Sequence, residues 1–295
     1  MNILSFDIEE WYLEKILHGG RAFRYQQFDD TFAKVLDELD RRGIKATFFC
    51  VGRLATDFPN VVREIAARGH EVGCHSNAHD FLTSLNPAQL KQDTCDAIHR
   101  LEDLVGATVS SYRAPAFSIT PDNAWAVEIL AECGIEQDAS IFPAVRDFGG
   151  FPLFPQDTPC KISYKGAVLK EFPVTIMSIL NKKVAFSGGG YFRALPYRLV
   201  KREMCRRDYN ICYFHLADLI AVQKKMMSRA QFEDYFHEPG TLKNRFARYV
   251  KSNIGSGGSY DKLCLLMKSF PFTSIREADK QFDWDKAAAV DLSGK

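Results

Sequence analysis

The sequence predicts an α/β fold with a parallel sheet and helices packed outside it. Two observations carry this reading. A rhythm of amphipathic helix, glycine stop and short apolar strand repeats through the first half of the chain, and successive apolar runs end on polar or charged residues. A chain of 295 residues with 46% apolar residues can bury a sizeable core. A barrel and a doubly wound sheet both satisfy the order of elements.

The elements follow in turn. Met1-Asn2-Ile3-Leu4-Ser5-Phe6 is a short apolar run that meets Asp7 at once and reads as a first strand. Residues 30–42 place Phe32, Val35, Leu36 and Leu39 at helical spacing and stop at Gly43, and a strand over 46–51 follows. A second helix over 58–68 stops at Gly69, before a strand over 70–74. A third opens at Asn86-Pro87, a good cap and first-turn pair, and runs to Gly106. A fourth opens at Thr120-Pro121-Asp122 and closes at Gly134, before a short strand near Ile135.

The second half is less regular. Residues 168–174 and 210–215 read as strands with a helix over 196–206 between them, 223–251 as one or two helices, and 259–269 as another. No low-complexity linker interrupts the chain. The expectation is a single domain with its core over about 1–220 and a C-terminal helical elaboration over about 221–295.

Composition narrows the function classes. A net charge of +1 gives no bulk electrostatic case for nucleic acid or an acidic polymer. The eight cysteines are scattered with no C-x-x-C pair, and several lie in apolar runs, as in Ile211-Cys212-Tyr213-Phe214. They read as reduced, buried thiols. The N-terminal run lacks a basic lead and a long apolar stretch, and no window has the length of a membrane span. A cytoplasmic location is the expectation.

In a parallel α/β barrel the chemistry sits at the C-terminal ends of the strands, so the residue after each strand is informative. The first strand ends Asp7-Ile8-Glu9-Glu10-Trp11, and alternation puts Asp7 and Glu9 on one face and Glu10 on the other. The third ends Cys74-His75-Ser76-Asn77-Ala78-His79. If that turn is helical, the two histidines lie on one face roughly 5–6 Å apart. With Glu9 they would offer two imidazoles and a carboxylate, a donor count that suits a catalytic zinc or another borderline divalent ion. The next strand ends Tyr112-Arg113-Ala114-Pro115, and an Arg at that rim can hold Asp7 ionised. Asp138 and His215 each follow a further strand, and His215 is placed as a general acid. Taken singly, each has an ordinary structural reading: an acidic turn, satisfied histidines, a surface Arg. Together they repeat one positional rule at five strand ends.

The blocks Ser5-Phe6-Asp7-Ile8-Glu9, Lys45-Ala46-Thr47-Phe48-Phe49, Gly69-His70-Glu71-Val72-Gly73-Cys74-His75-Ser76-x-x-His79, Arg113-Ala114-Pro115-x-Phe117 and Phe214-His215, in that order, resemble the polysaccharide deacetylases with a NodB homology domain. The resemblance spans about residues 1–220, and Phe186–Arg193 looks like a feature of a bacterial branch linked to exopolysaccharide and surface-glycan biosynthesis. It implies a distorted (β/α) barrel, often with fewer than eight strands, that hydrolyses the acetamide of N-acetylated sugars around a metal held by one acidic residue and two histidines. Carried over position by position, Asp7 is the base, His75 and His79 are ligands, Arg113 orients Asp7 and His215 is the acid. Many members have two adjacent Asp after the first strand, whereas this chain reads Asp7-Ile8-Glu9-Glu10. The acidic ligand is therefore Glu9 by strand phase, with Glu10 as the alternative. Asp138 is counted with the catalytic group, as a support of the rim or a hydrogen-bond partner, and Glu171 competes for that tuning role. Zinc is the expected metal, with cobalt or manganese as alternatives.

Several readings stay open. Gly188-Gly189-Gly190 either lets a sugar ring approach the backbone or is a flexible turn; Tyr191 and Trp11 either stack on a sugar or belong to the core. The basic stretch over 243–251 either touches an anionic membrane or is a solvated helix face. Two rival functions remain beside an N-acetylated saccharide substrate: hydrolysis of a small cyclic amide or imide at the same site, and non-catalytic glycan binding.

Overall fold

A computed structural model of the protein describes residues 1–18, 25–146, 148–179, 182–220, 226–236 and 238–294. The strands among them are β1 (Asn2–Ile8), β2 (Thr47–Cys50), β3 (Glu71–Cys74), β4 (Ser111–Tyr112), β5 (Gln137–Asp138), β6 (Cys160–Tyr164), β7 (Ala167–Glu171), β8 (Ile176–Ile179), β9 (Lys182–Ala185), β10 (Asn210–His215) and β11 (Ala288–Asp291). Nine of them form one sheet in the order β10-β1-β2-β3-β4-β5-β7-β6-β11, and β8 pairs with β9 apart from it. Within the large sheet every ladder is parallel except β6 with β7.

The sheet is curled toward a barrel, and one side chain measures the curl. Arg113, just past β4, donates to Ser5 Oγ on β1 (2.9 Å) and to the carbonyl of Ala139 just past β5 (3.1 Å). β1 and β4 are separated by two strands in the sheet, so a single guanidinium reaches both only if the sheet bends around it. Past the end of β7 the chain itself carries the wall on toward β10 without a regular ladder. Val174 N donates to Ile141 O, Thr175 Oγ1 meets Ser187 Oγ, and Ser187 Oγ donates to Ile211 O on β10. Strands β2 and β3 are buried along their whole length, as expected of parallel strands covered on both faces.

The expected helices are present with shifted ends. Tyr25–Arg42, Pro59–Ala67 and Pro87–Val105 turn Phe32, Val62 and Leu101 among others into the core. The last opens with Asn86 and Gln89 capping each other and ends on Gly106 at φ 66°. The fourth is broken into a short turn over Pro121–Asn123 and a helix over Ala126–Glu132, because Asn123 spends its side chain on Thr120 N and Ser118 O. The stretch read as one or two helices is two, Arg229–Phe236 and Leu242–Asn253, with Pro239-Gly240 between them; residues 223–225 lie outside the described residues. Sequence reading missed the helix Glu10–His18, the strand β6, the β8–β9 pair, the helices Gly189–Ala194 and Ile275–Gln281, and β11. These are short or half-exposed, so their periodicity is weak. Trp11 is core: it is 2% exposed, packs edge-on against Phe28 and Phe32, and donates to Asp29. All eight cysteines are unbridged, and Cys50, Cys74, Cys160 and Cys212 are buried.

Two predictions follow from this packing. A Cβ on Gly73 would lie 2.7 Å from both the Phe49 ring and Ser111 Oγ, so Gly73→Ala should cost about 1–3 kcal/mol in urea unfolding. His70, buried against Phe48, has its pKa pushed down from 6.5 to about 4, first by burial and then by Lys45. The unfolded chain takes up that proton first as pH falls, so stability is full above 6.5 and is lost between 6.5 and 4, by up to about 3 kcal/mol. His70→Phe should remove that loss, seen as a smaller difference between unfolding at neutral and acidic pH.

Candidate active site

The residues that follow β1, β3 and β4, namely Glu9, His75 and Arg113, gather beside one cleft. Glu9, His75 and His79 converge there, their ligand atoms all within 4.8 Å of one another. Glu9 Oε2 lies 3.3 Å from His75 Nε2 and 2.7 Å from His79 Nε2, yet it is buried and makes no aligned hydrogen bond to either. Three lone-pair atoms aimed at one point, with no proton geometry between them, suit a divalent cation. His75 Nδ1 donates to the carbonyl of Arg113 (2.7 Å), which leaves Nε2 bare toward Glu9.

The two histidines meet by a route other than a helical turn. Ser76 and His79 have left-handed backbones, at φ 61° and 62°, and the imidazole rings lie 5.3 Å apart at the head of an irregular loop. That loop is tied down locally: Ser76 Oγ accepts from His79 N, Asp93 Oδ2 accepts from Asn77 N, and Gly52 N donates to Ser76 O. These bonds stabilise backbone angles that non-glycine residues seldom adopt.

Beside the cluster, Arg113 Nη1 holds Asp7 Oδ1 at 2.7 Å, with both side chains fully or nearly fully buried. The guanidinium also lies 4.3 Å over the Phe49 ring. His215 is across from Asp7, its Nε2 3.8 Å from Asp7 Oδ2 and 3.5 Å from Glu9 Oε1. Its Nδ1 faces Asp218 at 3.2 Å, and Asp218 is in turn 3.3 Å from Arg193. Burial alone would lower the His215 pKa, but Glu9 and Asp218 outweigh it and hold the imidazole well above its ordinary value. Burial would raise Asp218, and the hydrogen bond and charge of His215 bring it down. Asp218 and Arg193 were not picked out from sequence; the His215-x-x-Asp218 spacing straight after a strand was the available signal.

Glu10 lies outside the metal-type cluster. It opens a helix, accepts from Ala217 N at 2.9 Å, and is pushed up to about 7 by burial and then by the charge of Glu9. Asp138 does not line the cleft. It is fully buried on β5 opposite Glu171 on β7, where burial and the neighbouring charge of Asp138 push Glu171 far above the carboxylate range. Ser140 Oγ donates to Asp138 and accepts from Ala114 N, which makes Asp138 a brace behind the Arg113 turn. That turn has left-handed residues at Ala116 and Phe117, and the Ala116 N–H, on the cleft wall, donates to no acceptor among the described residues.

The cleft has a volume of about 480 Å³ and is walled by Asp7, His215, Phe117, Tyr213, Tyr191 and Arg146 among others. Gly189 and Gly190 line it too, while Gly188 is required by the Tyr213 ring, which leaves no room for a Cβ. The loop bonds make a prediction: Asp93→Ala should weaken metal binding about 10–100-fold by calorimetry. Glu9→Ala should abolish it, and Glu10→Gln should leave it intact.

The polysaccharide deacetylase family model matches residues 21–137, and the model of a domain of unknown function, DUF3473, matches residues 139–280. The site draws on both segments and on the strand before them, since Asp7 and Glu9 precede residue 21 and His215 follows residue 139. A peptidoglycan-N-acetylglucosamine deacetylase of Bacillus cereus is 34% identical over 96 residues, 32% of this chain and 35% of that protein. A chitooligosaccharide deacetylase of Bradyrhizobium is 28% identical over 38% of this chain and 52% of its own length. The matches therefore span about a third to a half of these relatives. The crystal structure of a Mycobacterium smegmatis protein assigned as a polysaccharide deacetylase superposes with a TM-score of 0.65 at 18% identity, covering 98% of this chain and 92% of that one, which shows a shared fold. The chain thus carries a polysaccharide deacetylase domain over residues 21–137, followed by a DUF3473 domain over residues 139–280.

Proposed function

We propose that the protein is a metal-dependent carbohydrate N-deacetylase. The observation that carries this reading is the placement of Asp7 and His215 on opposite sides of one cleft, 3.8 Å apart, beside the Glu9–His75–His79 cluster. A carboxylate held by a guanidinium, an imidazole held by a carboxylate and three convergent ligands are what amide hydrolysis at neutral pH needs, because an amine leaves only when protonated.

Glu9, His75 and His79 would hold the ion, zinc first, with cobalt or manganese as alternatives. A divalent ion there would supply Lewis acidity to the acetamide carbonyl and the attacking water. Asp7, oriented by Arg113, takes the proton of the water as its oxygen bonds to the carbonyl carbon. The Ala116 N–H is the chain's own donor to the charge that develops on the carbonyl oxygen. His215, held by Asp218, passes its Nε2 proton to the nitrogen; the C–N bond breaks, giving acetate and a free amino sugar. The N-acetylglucosamine and chitooligosaccharide deacetylases among the relatives point to an N-acetylated glycan as substrate. The aromatic walls Phe117, Tyr191 and Tyr213 suit the apolar faces of a sugar ring.

The test is acetate release from a panel of N-acetylated saccharides by protein stripped of metal and reloaded with zinc, cobalt or manganese. Release restored by metal is the expected result; a metal-loaded protein that releases no acetate from any of them refutes the reading. Asp7→Asn should lower release about 10²–10⁴-fold while keeping stoichiometric metal, whereas His75→Ala should lose both.

A further inference from the structure

The helix Leu242–Asn253 is built inside out for a soluble surface. Leu242, Phe246 and Val250 are 67%, 58% and 42% exposed, and Ile254 just past its end is 47% exposed. A spacing of four puts them on one slowly turning stripe, which in a surface helix normally faces the core. Here the helix is fixed to the body by its polar groups instead. Arg245 Nε donates to Met227 O, Asn244 Nδ2 donates to Pro239 O, and Arg248 reaches Glu238. Gly255, at φ 67°, then packs against the Arg193 carbonyl so closely that no Cβ fits. The apolar stripe is therefore held outward by a rigid mount.

Two further features say what covers it. The helix contains no acidic residue and carries Lys243, Arg245 and Arg248, with Lys251 following in the sequence. The stripe also runs into the mouth of the cleft: Arg248 and Ile254 line it, as do Val145 and Phe148, which are 79% and 39% exposed. The Arg248 guanidinium lies 5.9 Å over the Phe148 ring, which joins the two rims. An apolar strip on a helix that carries cations and no acidic residue is complementary to an anionic lipid surface, where the side chains enter the acyl boundary and the cations meet headgroups.

We propose that this face docks on an anionic bilayer, with the mouth of the cleft turned toward the headgroups. Docking in this way would restrict the cleft to glycans carried at a membrane surface, and it stands independently of the reaction performed there.

The experiment is flotation of the full chain with phosphatidylcholine vesicles and with phosphatidylcholine–phosphatidylglycerol vesicles. The protein is expected to float with the anionic vesicles and far less with the neutral ones. Leu242→Glu combined with Phe246→Glu should reduce partitioning about tenfold or more while circular dichroism and Tm stay unchanged. Phe246→Trp should gain fluorescence quenched by brominated acyl chains. Absence of flotation with anionic vesicles overturns the proposal, as does equal flotation of the double variant or an unquenched tryptophan. A concentration-dependent dimer that does not float, and that the double variant dissociates, would overturn it in favour of a second copy of this chain.

Discussion

The buried guanidinium of Arg113 is the constraint on which the site rests. It is 0% exposed, and a charge so placed is tolerated only when paired and hydrogen-bonded. Its partners are Asp7 and Ser5 on the first strand, the Ala139 carbonyl past the fifth, and the face of Phe49 on the second. Its own carbonyl fixes His75. One residue thus orients the proposed base, sets the face that His75 turns to Glu9, and draws the curled sheet together. The small residues nearby answer to the same constraint, since Gly73 leaves space for the Phe49 ring beneath the guanidinium.

Backbone strain is concentrated where this arrangement needs it. Among the described residues, the non-glycine ones with positive φ are Ser76, His79, Ala116, Phe117 and Lys165, and all but the last belong to the two loops that form the site. Each such residue costs of order 1–3 kcal/mol unless the surroundings impose it. Asp93, Ser140 and the Asp138–Glu171 pair are those surroundings, and they have no place on the cleft wall themselves. The same sites also separate carboxylates by environment. Glu10 and Glu171 are raised by burial and a neighbouring charge, whereas Glu9 and Asp218 are lowered by histidines that outweigh burial. Acids of one chemistry are therefore pushed in opposite directions by their surroundings.

Much of this was legible in the sequence because local rules fix it. Glycine stops, a capping pair at Asn86 and the alternation along the first strand gave the parallel α/β order, and strand phase favoured Glu9 over Glu10, the residue that the structure groups with the two histidines. The polar residue after each strand was readable for the same reason: chain direction in a parallel sheet delivers all those residues to one edge.

What sequence could not supply depends on groups far apart in the chain. The meeting of His75 and His79 comes from two left-handed residues and a carboxylate at position 93, since a helical turn is absent there. The place of Asp138 behind the rim, bracing the Arg113 turn through Ser140 and lying opposite Glu171, depends on a strand reached through a long excursion. The outward stripe of the helix Leu242–Asn253 is invisible to periodicity, because an apolar face has the same spacing whether it meets a core or solvent. Periodicity and turn chemistry are properties of neighbouring residues, so the sequence determined the elements and their order; burial, pairing and charge state are properties of distant ones, so only the tertiary structure decided which polar groups meet.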